Sequence, residues 1–455
     1  MTEREFFGTD GIRGRANEHP VTPEIALRLG RAVAHTARQA TGSTPRVVIG
    51  KDTRVSGYLL EAALAAGVCA MGGSVLLAGV IPTPGVAHLT RSMRAAAGIV
   101  ISASHNPFDD NGIKVFGADG FKLPDAVEAE IERLIVDPGL EGLGCVGQHV
   151  GRAAPLEDAT GRYIAQAKAT FRQGLSLTGM RIVVDAAHGA AHRAAPAVLE
   201  ELGAQVVAIG CAPNGTNIND RCGALHPQRV AKEVVRRQAD LGIALDGDAD
   251  RVILVDERGQ RVDGDVVMAL YGTRQIRRRA LPKRTVVATV MSNLGLERAL
   301  TAAGGKLKRT AVGDRYVVEE MLRGGYRLGG EQSGHLIFLD HATTGDGIIA
   351  ALQVLGIMVE EQRRMSELAQ VMDRFPQLLK NARFRERRPI EALPRLTKQI
   401  ASLEQKLGAD GRVLVRWSGT EPKLRVMVEG PDLQLIDRMC DELLEAASQD
   451  LGRPS

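Results

Sequence analysis

Aromatic side chains are scarce in this chain of 455 residues, with 9 Phe, 5 Tyr and 1 Trp making up 3% of the sequence. Proteins that read single-stranded nucleic acid stack bases on aromatics, so the composition argues against that class. Cysteine is sparse too: Cys69, Cys145, Cys211, Cys222 and Cys440 are odd in number, scattered and free of C-x-x-C spacing. That pattern excludes a disulfide frame or thiolate zinc site and fits a reducing compartment. No window approaches the ~18 uninterrupted apolar residues of a membrane span, and residues 1–5 are charged rather than signal-like. A cytoplasmic protein with no membrane partner is expected. The formal net charge of +4 is too small for a nucleic-acid footprint. Two basic runs, 274–284 and 383–388, read as solvated faces. Walker A and G-x-G-x-x-G loops are both missing, so no nucleotide cofactor is expected. His188 and His192 lack the glutamate of a zinc helix, and the other histidines show no ligand spacing.

What the chain does contain is glycine, 51 residues of it, and an ordinary 44% of hydrophobic residues. One unit is written three times. Strand-like runs at 46–50, 74–79 and 95–101 alternate with helical patterns at 22–39, 57–71 and 83–94. Strands at 181–185, 205–209 and 242–245 repeat the order, with helices at 194–202 and 229–238. A third copy has strands at 285–290, 306–310 and 326–329, with helices at 294–303 and 317–323. Such alternation predicts three α/β domains with mixed, mostly parallel sheets. The tail differs. Runs 412–416 and 424–428 alternate with period two and precede an amphipathic helix at 433–448, which predicts a smaller C-terminal α+β domain. The expected domains are 1–153, 154–255, 256–370 and 371–455, arranged around a central cleft, with a linker near 383–394.

In each copy a polar motif follows the third strand, where open α/β sheets place their chemistry. The first is Ser102-Ala103-Ser104-His105-Asn106-Pro107, in which Asn106-Pro107 signals a turn. The second is Asp246-Gly247-Asp248-Ala249-Asp250-Arg251. Three carboxylates spaced by two repel unless a cation joins them, and oxygen-only ligands suit Mg²⁺. An EF-hand is rejected because Arg251 occupies the position that needs glycine. The third is Gly330-Glu331-Gln332-Ser333-Gly334-His335, whose carboxylate and hydroxyl suit sugar hydroxyls or an amine. In the tail, Arg416, Ser418, Gly419, Thr420 and Arg425 read as an oxyanion cradle.

These blocks, with Phe7-Gly8-Thr9-Asp10-Gly11-Ile12-Arg13-Gly14 near the start, resemble the α-D-phosphohexomutase superfamily over essentially the whole chain. The resemblance implies that Ser104 is a phosphoserine whose phosphate completes an Mg²⁺ shell with Asp246, Asp248 and Asp250, Ser102 being a bystander. It implies Lys114 and His335 for proton transfer, with Arg13 and Arg251 near the phosphoserine. Glu331 and Ser333 would hold sugar hydroxyls, and the tail cradle the phosphate that is not reacting. Within that resemblance, Gln332 and the opening block 7–14 imply an amino-sugar substrate, glucosamine 6-phosphate, converted to glucosamine 1-phosphate through glucosamine 1,6-bisphosphate. The other readings are a mutase for mannose or glucose phosphates and an Mg²⁺-dependent phosphatase. The partner is thus a small sugar phosphate, not nucleic acid, and the enzyme a possible homodimer.

Overall fold

The computed structural model describes residues 6–8, 10–418 and 422–452. Its first sheet has the strand order Phe7–Gly8, Gly11–Arg15, Asp110–Gly117, Ala97–Ile101, Arg46–Lys51, Ser74–Val80 and Ala153–Pro155. The second runs Arg261–Val262, Val252–Asp256, Leu241–Leu245, Arg181–Asp185, Gln205–Ile209. The third runs Lys306–Thr310, Thr285–Thr289, Leu328–Gly330, Leu336–Phe338. All three share one plan. The unit's first strand lies between its second and third, both parallel to it, and an antiparallel strand returns beside the third. The polar motif is therefore the loop between the third strand and its return, and every copy offers it at the same sheet edge.

Local signals explain where elements begin. Helix Pro23–Thr41 opens with Thr22, whose hydroxyl accepts the Ile25 N–H, followed by proline at its first position. Strands Ala97–Ile101 and Leu241–Leu245 are buried along their length, as their unbroken apolar runs require. Helix Gly347–Glu361 was not read from the sequence, because it is apolar almost all round and shows no stripe. It packs on the second domain's strands, and each fully buried side chain such as Leu352 or Leu355 stabilises that contact by about 1.5–3 kcal/mol. A single hydrophobic core consequently runs through the first three domains, from Val48 and Phe116 through Leu254 to Val286.

The fourth domain has its own core and a three-stranded antiparallel sheet of Gln377–Arg383, Lys423–Glu429 and Arg412–Trp417. Three expectations need correction. The first sheet extends to residue 155 and the second to 262, past the boundaries set at 153 and 255, because short edge strands there pair backward. The stretch 383–394 is no linker between domains. It leaves the strand Gln377–Arg383, buries Phe384 and Leu393, and leads into helix Pro394–Leu407 inside the fourth domain. Finally, Arg274 of the basic run is buried against Glu360 and Glu361 instead of facing solvent.

Asp265 lies in the first turn of helix Gly264–Arg277 and accepts the Asn293 N–H at 2.8 Å, bracing the loop on which the fourth domain rests. Burial, and then the neighbouring Asp263 charge, pushes its carboxyl up to about 7. The folded chain thus holds this proton more tightly than the unfolded chain. The associated stability is complete below the ordinary carboxylate pKa of about 4 and is lost as pH rises through about 7. Melting temperatures of wild type should fall more steeply between about pH 4 and about pH 7 than those of Asp265→Asn, and parallel curves would contradict the assignment.

Candidate active site

The first loop leaves the buried strand Ala97–Ile101 and turns at once, Asn106 N–H bonding back to Ala103 C=O at 3.1 Å. Ser104 takes a left-handed backbone (φ 53°) and is buried. Its hydroxyl donates to Asp246 Oδ2 at 2.6 Å and lies 3.3 Å from His105 Nδ1. Ser102, expected as a bystander, is fully buried, and its Oγ accepts the Ser104 N–H at 2.9 Å. Lys114 stands on the return strand opposite Val100, which sets its ammonium beside the loop.

The second loop brings Asp246, Asp248 and Asp250 together, with ligand atoms within 4.8 Å of one another. All three are buried. Burial and the repulsion of Asp250 and Asp248 hold the Asp246 carboxyl well above its ordinary range. Lys114 Nζ reaches Asp248 at 3.0 Å, Asp250 at 3.2 Å and Asp10 at 3.2 Å. Burial alone would lower the lysine's pKa, but Asp10, Asp248 and Asp250 outweigh it and hold it well above normal. Even so, Asp248 Oδ1 and Asp250 Oδ1 are buried with no hydrogen-bond partner among the described residues, the nearest approach to the latter being His335 Nδ1 at 3.6 Å. Two such carboxylate oxygens, grouped with a third carboxylate, fit a divalent cation of the oxygen-binding kind.

The third loop is sewn to the second. Arg251 and His335 pair as an antiparallel bridge, and Val252 N–H bonds Gly334 C=O at 3.0 Å. Gly334 has φ 94°, and a Cβ there would lie 2.1 Å from Val252 O, so only glycine allows this approach. His335 is buried with Nδ1 3.6 Å from Asp250 and Nε2 3.4 Å from Asp314. Burial opposes its charge, but Asp250, Asp314 and Glu331 raise its pKa. Glu331 accepts Gly313 N–H at 3.2 Å and the Ser333 hydroxyl at 3.1 Å. Arg13 is ion-paired with Asp10. Burial and the charges of Arg251 and Arg13 push His105 down to about 4, so both guanidiniums act on the Ser104 loop.

Arg13, Arg251, Glu331 and His335 line one cleft of about 530 Å³, with Asp10 and Asp314 beside them. A larger hollow of about 620 Å³ near Tyr58, His192 and Asn214 contains none of the expected residues and no carboxylate. Arg416 and Arg425 face each other across the fourth domain's sheet, Arg425 donating to Ser418 Oγ at 3.3 Å. Their Nε atoms are buried and unpartnered among the described residues, as an anion cradle requires. Burial, and then the Arg425 charge, lowers the Arg416 pKa. Gly419 and Thr420 lie outside the described residues.

Sequence reasoning missed Asp10 as a charge partner, and it missed Lys122 and Asp314 entirely. Lys122 pairs with both Asp10 and Asp314, tying the first domain to the third. Asp314 was legible in one respect: it follows the third unit's second strand, at the sheet edge that carries the other motifs. Thr83 was read only as a helix start. Its hydroxyl donates to Asp248 Oδ2 at 2.7 Å.

Four tandem matches to known domains cover this architecture, described as phosphoglucomutase/phosphomannomutase alpha/beta/alpha domains I, II and III and C-terminal domain. They fall at residues 4–138, 161–259, 263–375 and 379–446. The chain belongs to the phosphoglucomutase/phosphomannomutase family. A solved family protein from Burkholderia thailandensis superposes with a TM-score of 0.81 at 23% identity, over 97% of each chain. The Aspergillus fumigatus N-acetylphosphoglucosamine mutase, solved with GlcNAc-6P and magnesium, has the same fold. Its TM-score is 0.71 at 16% identity, over 98% of this chain and 96% of that one. Within the family the chain falls among the phosphoglucosamine mutases. The protein of that name from Sorangium cellulosum is 62% identical over 99% of this chain and 94% of its own length.

A cation that binds only the folded triad must raise the melting temperature. Added Mg²⁺ should do so for wild type and not for Asp248→Asn; equal shifts in both proteins would place the bound ion elsewhere.

Proposed function

We propose that this enzyme interconverts glucosamine 6-phosphate and glucosamine 1-phosphate through a phosphorylated Ser104 and glucosamine 1,6-bisphosphate. The supporting observation is the contact of the Ser104 hydroxyl with Asp246 at 2.6 Å, in a triad whose other two members have orphaned oxygens. Asp246, Asp248 and Asp250, with the phosphate of Ser104, would hold one Mg²⁺, which when bound neutralises charge on the transferring group. The chain's residues do the rest. Phospho-Ser104 gives its phosphoryl to the free sugar hydroxyl: the bond from Ser104 Oγ to phosphorus breaks and a bond from the sugar oxygen to phosphorus forms. Carboxylates favour the protonated form of both Lys114 and His335, so one of them gives a proton to the departing Ser104 Oγ and takes the hydroxyl proton in exchange, while Arg13 and Arg251 offset charge on the phosphoryl oxygens. Reversal of the bisphosphate in the cleft lets the other phosphate return to Ser104.

Glu331 and Ser333 hold the sugar hydroxyls. Arg416, Ser418, Gly419, Thr420 and Arg425 hold the non-reacting phosphate in both orientations. That duty explains why a separately cored fourth domain is attached beside the cleft. A cytoplasmic location and a homodimeric assembly without nucleic acid belong to the same proposal. It is in keeping with a net charge of +4 and with no helix, among the described residues, long and apolar enough to cross a membrane.

One experiment separates the readings. Given 1,6-bisphosphate, wild type should gain one phosphate by intact mass, and Ser104→Ala should gain none and lose turnover by at least about 1000-fold. Turnover of glucosamine 6-phosphate should exceed that of mannose and glucose phosphates. Faster turnover of a neutral hexose phosphate would move the enzyme to another branch, and phosphate release matching isomerisation would make it a phosphatase.

A further inference from the structure

The hydroxyl contact that fixes Ser104 on Asp246 exists in only one of the two forms the residue must take. Once Oγ carries phosphate it has no proton to donate, and that restraint is gone. The backbone is held differently. Asp52 is fully buried on the loop after strand Arg46–Lys51 and accepts the Ser102 hydroxyl at 2.6 Å; Ser102 in turn accepts the Ser104 N–H. The same carboxylate is ion-paired with fully buried Arg54, whose Nη2 donates to Asn106 C=O at 2.6 Å and approaches Ser104 C=O at 3.4 Å. A residue of the second domain joins it on the same two carbonyls. Asn219 Nδ2 donates to both Ser104 C=O and Asn106 C=O, each at 2.9 Å. Asn219 is itself left-handed (φ 60°) and anchored by its N–H to Ala187 C=O at 2.9 Å.

We propose that Asn219 is a positioning residue for the nucleophile, completing with Asp52, Arg54 and Ser102 a brace on the peptide of Ser104 that is indifferent to its phosphorylation. The brace grips the N–H and C=O of a strained residue and leaves Oγ free, so donor and acceptor states present their oxygen from one place. It also makes that placement depend on docking of the second domain, which carries the triad. Neither Asn219 nor Asp52 touches the sugar cleft, so substrate binding does not require them.

This inference rests on Ser104 being the phosphoryl carrier, and the test keeps the two apart. Asn219→Gly removes the amide without penalising the positive φ. It should lower kcat by about 10- to 100-fold with KM within about twofold, in a protein that stays folded at the assay temperature. Ser102→Ala should behave likewise, whereas Ser102→Thr, which keeps the hydroxyl, should retain most of the turnover. The ³¹P resonance of the phosphoserine should broaden in Asn219→Gly. Turnover of Asn219→Gly within about twofold of wild type overturns the brace, as does a loss carried entirely by KM. Absence of phosphate on Ser104 in wild type would instead overturn the nucleophile assignment itself.

Discussion

Two lysines and the carboxylates around them hold the active site together where the first three domains meet. Lys114 joins Asp10 of its own domain to Asp248 and Asp250 of the second, and Lys122 joins Asp10 to Asp314 of the third. Taking one member out of a buried ion pair costs about 3–5 kcal/mol, because its partner is left charged and dry. The network therefore forms fully only when all three domains are docked. His335 extends it by facing Asp250 and Asp314 together. The aspartate triad, Lys114 and His335 are thus fixed by one set of charges, with the Ser104 hydroxyl bonded to Asp246, in a setting where each charge is amplified by exclusion of water.

The repeated topology makes that convergence possible. A polar loop between a third parallel strand and its antiparallel return is rigid at both ends. Three such loops can be pressed together without exposing backbone, as the Arg251–His335 bridge shows. The shared core through helix Gly347–Glu361 keeps the three domains docked. The fourth domain is attached more locally: Arg412 donates to Val290 and Ser292 carbonyls at 2.8 and 3.0 Å, and Glu429 accepts the Leu294 N–H at 3.1 Å. A compact polar attachment beside a separate core is the arrangement expected of a part that swings over a cleft.

Much of the site was legible because its residues sit in patterns. Alternating aspartates after a strand and glycines flanking Glu331 and His335 have few other uses. Lys122, Asp314, Asp52 and Asn219 belong to no local pattern. The importance of Lys122, Asp314 and Asn219 comes from what other domains place against them, and that of Asp52 from Arg54 and the distant Ser102 of its own domain. Helices such as Gly347–Glu361 were missed for the opposite reason, being buried on all sides and so without periodicity.

The sequence by itself determined the three α/β units with their strand-end motifs, the different character of the tail, and through five motif blocks the family. Hydrophobic periodicity and turn chemistry are local, and they were enough for that. The tertiary structure alone decided which charges neutralise which, that the Ser102 hydroxyl links Asp52 to the Ser104 N–H, and that Ser104 is gripped from two domains. Most of those relations join residues more than a hundred positions apart, such as Ser104 with Asn219 and Asp246, and Ser102 stands 50 residues from Asp52. Such contacts are set by how the domains pack, and no local regularity in the chain encodes them.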